Sequence, residues 1–275
     1  MSRPLRPSPT CLNCGHALAT RFCPECGQEN TDYRVSLGRL LGDLFEELFQ
    51  LESRLWLTLW TLLRRPGLLT VEYNAGRRVR YTTPLRLYLV CSVVYFFVGT
   101  VMPRSHGAAE MHFDAGDAAQ LEQAEKKAQS PLVKRILEHV RVVQRDPAGA
   151  SRRVQQALSD YAPKIAAVLV PLLAFLTWLF FRRRKLFFVE HLVFALHAHA
   201  TAFLLLVVGE LVRVSVVGFA AVVATAVITF MAMRRVFGQS RWSTLWKSAL
   251  IAAVYSLFLG TGTAVAAIVG LFGLG

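Results

Sequence analysis

The chain has 275 residues, 54% of them hydrophobic, and 31 Lys and Arg against 18 Asp and Glu give it a net charge of +13. Its apolar residues stand in long runs, which excludes an ordinary soluble core of that size. The positive charge sits in arginine clusters beside those runs. That is the pattern of membrane anchoring, so the charge does not call for nucleic acid as a partner.

Residues 1–10 are Pro-rich and read as a disordered tail. Residues 11–28 carry Cys11, Cys14, Cys23 and Cys26 in the pattern C-x₂-C-x₈-C-x₂-C. Two such pairs are what a tetrahedral Zn²⁺ needs: each makes a tight turn that aims two sulfurs at one point. Gly15 and Gly27 follow the second cysteine of each pair, where the turn demands an unusual backbone. Four sulfurs close the coordination sphere, so the expected zinc is structural rather than catalytic. Two disulfides are the competing reading. Reduced thiolates place this ribbon in the cytoplasm. Cys91 stands alone in an apolar run and reads as a small buried hydrophobe.

Residues 34–66 predict an amphipathic helix lying on the membrane or docked on the helical bundle. Leu37, Leu41, Leu44, Leu48, Leu51, Leu55, Leu59 and Leu62 recur every three or four positions. Asp43, Glu46, Glu47, Glu52 and Arg54 are too many charges for a span, while Trp56 and Trp60 suit the headgroup level. Residues 67–84 form a basic and aromatic linker. Arg77, Arg78, Arg80 and Arg86 with Tyr73, Tyr81 and Tyr88 make a collar that anionic lipid headgroups would fit. Plain topological anchoring explains the same residues.

From residue 85 the chain reads as a transmembrane domain. Spans are expected at 85–102, 165–181, 186–208, 214–233 and 249–272, with Pro171 a kink in the second. A long outer loop, 103–164, should hold a small helix opening at Ser130-Pro131. Ala220 with Ala224, and Gly262 with Ala266, are small pairs four apart that let helices approach closely. Arg182-Arg183-Arg184-Lys185 marks the second–third connection as cytoplasmic. Arg234, Arg235, Arg241 and Lys247 mark the fourth–fifth likewise. The N-terminus is then inside and the C-terminus outside.

The third span contains Glu190, His191, His197 and His199. Ionisable groups inside a bilayer are costly, so each is a functional candidate. At 3.6 residues per turn one helix cannot aim all four at one point. Bundle-fixing hydrogen bonds, a proton or ion path, and a metal or haem ligand set are the readings that compete. No nucleophile–base pair, phosphate loop or dinucleotide fingerprint occurs, so no enzymatic activity is argued.

The stretch from Arg65-Pro66-Gly67 through Tyr73, Gly76, Arg78, Tyr81 and Pro84 resembles a bacterial family of multi-pass membrane proteins, domain of unknown function 3667. Glu190, His191 and His197 are similar to a further segment of that family. The resemblance implies a ribbon followed by a membrane bundle in a bacterial inner membrane, and no activity. The expectation is an all-α membrane protein of about five transmembrane helices, with a cytoplasmic zinc ribbon and an amphipathic surface helix. Its expected role is non-enzymatic docking or scaffolding, with a cytoplasmic protein partner at the ribbon. The alternative is a proton, ion or small-solute transporter that uses the third-span residues.

Overall fold

A computed structural model describes residues 9–30, 53–102, 123–124, 127, 130–184 and 186–272. Among them the named elements are helices: α1 (Ser53–Arg64), α2 (Leu68–Asn74), α3 (Pro84–Val101), α4 (Pro131–Arg145), α5 (Pro147–Phe181), α6 (Phe188–Val212), α7 (Ser215–Phe237) and α8 (Arg241–Phe272). Five of these, α3 and α5 to α8, are long and apolar enough to cross a bilayer. The fold is therefore the expected all-α arrangement of five candidate spans.

Two spans are longer than their hydropathy announced. α5 starts at Pro147 instead of residue 165, and α8 at Arg241 instead of 249. Once a helix is nucleated, each further residue adds a hydrogen bond at little cost, and the Ala, Arg and Gln of 148–157 are good helix formers. Hydropathy marks only the part suited to lipid. At 1.5 Å per residue α5 is roughly 52 Å long, well beyond a hydrocarbon core of about 30 Å. It runs through Pro171 without interruption. α4 opens at Pro131, as the Ser130-Pro131 signal predicts, with Lys134 N–H on the Ser130 carbonyl at 3.1 Å.

Contacts divide the chain into two compact units, Met1–Met102 with Val170–Tyr255, and Pro103–Leu169 with Ser256–Gly275. In the second, small residues bring α8 against α5. A Cβ on Gly262 would touch Ile165 at 3.4 Å, and one on Gly270 would lie 2.7 Å from the Arg153 carbonyl oxygen. Ala266 is buried beside them, whereas Ala220 in α7 is exposed.

In the first unit α6 is the central helix, packed on α3 and α7. Tyr88 meets His199, and Tyr95 and Phe96 meet Phe203 one turn further on, so α3 and α6 run in parallel. α1 buries Leu55, Thr58, Thr61 and Leu62 and exposes Trp56 and Trp60 on the opposite face. Thr58 Oγ1 donates to the Arg54 carbonyl at 2.6 Å and accepts Thr82 N–H at 3.0 Å, tying α1 to the loop before α3. The earlier part of the predicted amphipathic helix, 34–52, lies outside the described residues, as do residues 103–122 of the outer loop.

Candidate metal centre and its seat on the helices

The cysteine ribbon is two copies of one turn, twelve residues apart. In the first, Cys11 N–H bonds the His16 carbonyl, Gly15 N–H the Cys11 carbonyl and Leu18 N–H the Pro9 carbonyl. In the second, Cys23, Gly27 and Asn30 make the same bonds to Gln28, Cys23 and Arg21. Antiparallel bridges close both, Thr10 with Ala17 and Phe22 with Glu29. Gly15 and Gly27 take the left-handed backbone that the turn requires, φ 80° and 72°.

The turns bring all four sulfurs within 4.8 Å of one another. Cys11 and Cys26 Sγ are 3.5 Å apart, and Cys14 and Cys23 Sγ are 3.6 Å apart. Neither distance is a disulfide, and all four thiols are free. A tetrahedral ion with sulfur at about 2.3 Å needs sulfurs about 3.8 Å apart, so the set fits a four-thiolate metal. The electrostatics agree. Burial pushes the Cys26 thiol up, but the Gln28 backbone N–H and hydrogen bonds from Cys11, Asn13 and Cys14 bring it down to about 7. Cys14 goes the other way: its hydrogen bond with the His16 backbone lowers it, yet desolvation and its three sulfur neighbours push it up to about 12. A divalent cation among four thiolates would offset their mutual repulsion.

The ribbon is fastened to the helices through one buried side chain. Gln28 is 5% exposed. Its Nε2 donates to the Gly76 carbonyl at 2.8 Å, and its Oε1 accepts Arg78 N–H at 3.4 Å. Leu12 packs on the same glycine, with Cδ1 2.7 Å from where a Cβ would stand.

That glycine ends α2 in a Schellman turn. Gly76 is left-handed at φ 84°. Its N–H reaches the Tyr73 carbonyl at 3.1 Å, and Arg77 N–H reaches the Glu72 carbonyl at 2.9 Å. The apolar contact that usually accompanies this turn is replaced by a bidentate ion pair, Arg77 Nε and Nη2 on the Glu72 carboxylate at 2.6 and 2.7 Å. Arg78 folds back over the Tyr73 ring, 4.0 Å from its centroid, and its Nε donates to the Tyr73 carbonyl. The spacing Tyr-x-x-Gly-x-Arg is thus one helix terminus with its cap and its lid.

The Arg77 hydrogen bonds, working against burial and aided by the charges of Arg77 and Arg80, hold the Glu72 carboxyl below the usual carboxylate range. A depressed carboxyl contributes stability that is complete above its unfolded value, about 4.3, and is lost as pH falls through the folded value. The pair is part-exposed, at 22% for Glu72 and 38% for Arg77, which limits its worth to about 0.5–1 kcal/mol. As pH falls from about 6 through the folded value, the wild type is expected to lose up to that much more stability than Glu72→Gln, measured by thermal melts of both in one detergent. Equal losses would contradict the pairing.

Upstream, Gly67 is the left-handed residue opening α2, at φ 77°. A Cβ there would stand 2.9 Å from the Ala232 carbonyl oxygen of α7. Arg235 Nη1 donates to the Pro66 carbonyl at 2.7 Å. Arg-Pro-Gly is therefore the point where the α1–α2 corner presses onto the end of α7.

Residues 52–96 match the family model described as Protein of unknown function (DUF3667).

The N-terminal cysteine cluster and the several apolar helices fit the ribbon and membrane bundle expected from the sequence. No curated protein and no solved structure matches the chain. The matched segment covers α1, both glycine turns and most of α3, so it includes Gly67 of the corner and Gly76 under the ribbon.

The four polar residues of α6 do not converge. Glu190 folds back at the helix start, its Oε2 accepting Phe187 N–H at 2.6 Å. His191 is fully buried, with Nδ1 3.2 Å from Thr177 Oγ1 and its ring stacked on Phe237. His197 Nδ1 lies 2.9 Å from Thr70 Oγ1 of α2. His199 Nδ1–H donates to the Ala195 carbonyl at 2.8 Å, so its Nε2 accepts the Tyr255 hydroxyl at 3.1 Å. Each histidine joins α6 to a different neighbour: α5, α2 and α8. Of the four collar arginines, Arg77 is paired with Glu72 and Arg86 is buried, while Arg78 covers Tyr73. Arg80 alone of the four is exposed.

The connections of α5 to α6 and α7 to α8 meet at one end of this unit. Phe181 stacks on Phe237 at 4.2 Å, Lys247 sits over Phe181, and Phe180 meets Trp246. All five tryptophans, Trp56, Trp60, Trp178, Trp242 and Trp246, are exposed on helix segments that border this end or the corner packed on it.

Gln28, Thr70, Thr177 and Tyr255 were invisible as sites in the sequence.

Proposed function

We propose that the protein is a multi-pass inner-membrane docking module, with one structural Zn²⁺ on Cys11, Cys14, Cys23 and Cys26 and a cytoplasmic protein partner at the ribbon. The observation that carries this reading is the seat: a closed four-sulfur centre held on the DUF3667 turn by Gln28, with His16 and Glu25 left exposed. A closed centre presents surface and offers no open coordination position for chemistry. The dispersal of His191, His197 and His199 to three helices, and the capping role of Glu190, favour bundle-fixing over a transport path. The arginine-rich end ringed by tryptophans supports a cytoplasmic headgroup level there, with α1 lying in it through Trp56 and Trp60 and with Arg80 toward anionic lipid.

Four thiolates suit zinc or iron, and elemental analysis is expected to find zinc at one per chain. In proteoliposomes no proton or ion flux is expected, while His16→Ala with Glu25→Ala should lose the ribbon's partner without loss of metal. Flux that vanishes in Glu190→Gln would overturn this reading in favour of a transporter. Labelling of Gln239→Cys from outside intact cells would reverse the orientation.

A further inference from the structure

A crevice opens between the Arg-Pro-Gly corner, α2, α6 and α7. Its free space is about 20 Å³, room for one water-sized group at the base. Arg65 lies at its exposed rim, and among the described residues its guanidinium has no partner. His197 lines the wall and is 5% exposed, with one ring nitrogen, Nδ1, on Thr70 and nothing on the other.

The proton on that ring can be assigned. Thr70 is 1% exposed, and its hydroxyl has one hydrogen-bonding partner, His197 Nδ1. The carbonyl four residues back, on Pro66, receives Arg235. A buried hydroxyl must donate somewhere, so Thr70 O–H donates to Nδ1 and the imidazole proton sits on Nε2. The crevice therefore has an unsatisfied N–H donor in its wall. Thr201 spends its hydroxyl proton on the His197 carbonyl, whereas Thr229, also on the lining, makes no hydrogen bond among the described residues. No carboxylate lines the space.

An N–H donor and a hydroxyl inside, with an uncommitted guanidinium at the mouth, call for an oxyanion whose charge stays outside and whose one oxygen enters. We propose that this crevice binds a phosphate group, with Arg65 holding its charge and His197 Nε2–H and Thr229 Oγ1–H donating to the oxygen that enters. A guanidinium takes phosphate oxygens through directed, charge-assisted bonds. The phosphate comes from a lipid headgroup or from free phosphate, and the crevice chemistry is the same for both. The proposal is independent of the ribbon's role.

The test uses the full chain in dodecyl maltoside micelles, which carry no phosphate, with ¹⁵N-labelled histidine. Short-chain phosphatidic acid and inorganic phosphate are titrated separately while the His197 ring nitrogens are followed. Phosphatidic acid is expected to move Nε2 and leave the His191 signals in place. Arg65→Gln should weaken that binding about tenfold, about 1.4 kcal/mol. Because Arg65 is exposed, this variant keeps the fold even if His197→Gln does not. A response to both titrants assigns the site to phosphate itself, and a response to the lipid alone assigns it to a headgroup. An Nε2 signal unmoved by either, or Arg65→Gln binding as tightly as wild type, would overturn the proposal.

Discussion

Cys23→Ala is expected to release the metal and unfold residues 9–30 while the five apolar helices keep their fold. Cys23 is 2% exposed and donates its N–H across the second turn, so it is both ligand and core. Besides Cys11 and Cys23 the ribbon buries only the Gln28 side chain among its described residues, far too little apolar surface to fold unaided. Metal binding of about 10–16 kcal/mol is folding energy for a unit of this kind. The helices rest on their own contacts, α3 and α7 on α6. Elemental analysis should show the loss of metal, and amide exchange should show protection lost over 9–30 and kept in α6. Protected ribbon amides in a metal-free variant would refute the assignment.

Gly67→Ala is expected to be the most damaging single methyl addition in the DUF3667 segment, at about 3–5 kcal/mol. The left-handed backbone alone costs an alanine about 1–2 kcal/mol. The methyl would also lie 2.9 Å from the Ala232 carbonyl oxygen and 3.0 Å from its Cα, and helix backbone cannot step aside. Opening that contact would strain the Arg235–Pro66 and Thr70–His197 bonds as well. Gly76→Ala carries the same backbone cost, but its methyl meets only the end of the Leu12 side chain, which can rotate. Its effect should be smaller and confined to the ribbon's seat. Thermal melts of the two variants in one detergent order them, and an equal or reversed order would mean that the corner does not press on α7.

Five spans and the cysteine cluster were legible because each rests on a one-dimensional pattern, hydropathy or spacing. What escaped was whatever depended on a partner distant in sequence. Gln28 looks like any polar residue after a knuckle until the Gly76 carbonyl stands above it, 48 residues away. The third-span histidines were visible as costly groups, but not their partners Thr70, Thr177 and Tyr255, since a threonine or tyrosine in an apolar run carries no signal of its own. Arg86 and Arg77 read as surface cations because sequence cannot distinguish a headgroup from the bundle or from Glu72. The true starts of α5 and α8 were hidden for the opposite reason: polar residues continue a helix without announcing it.

The Gln28 seat also decides how a pull on the ribbon would travel. Along the chain, residues 31–52 separate the ribbon from α1. Through Gln28 the ribbon grips Gly76, and only Arg77 to Thr83 intervene before α3 begins. A load on the ribbon therefore has a route to the first span through one side-chain contact and the short 77–83 connection. Losing that one amide would cut the route at its non-covalent step.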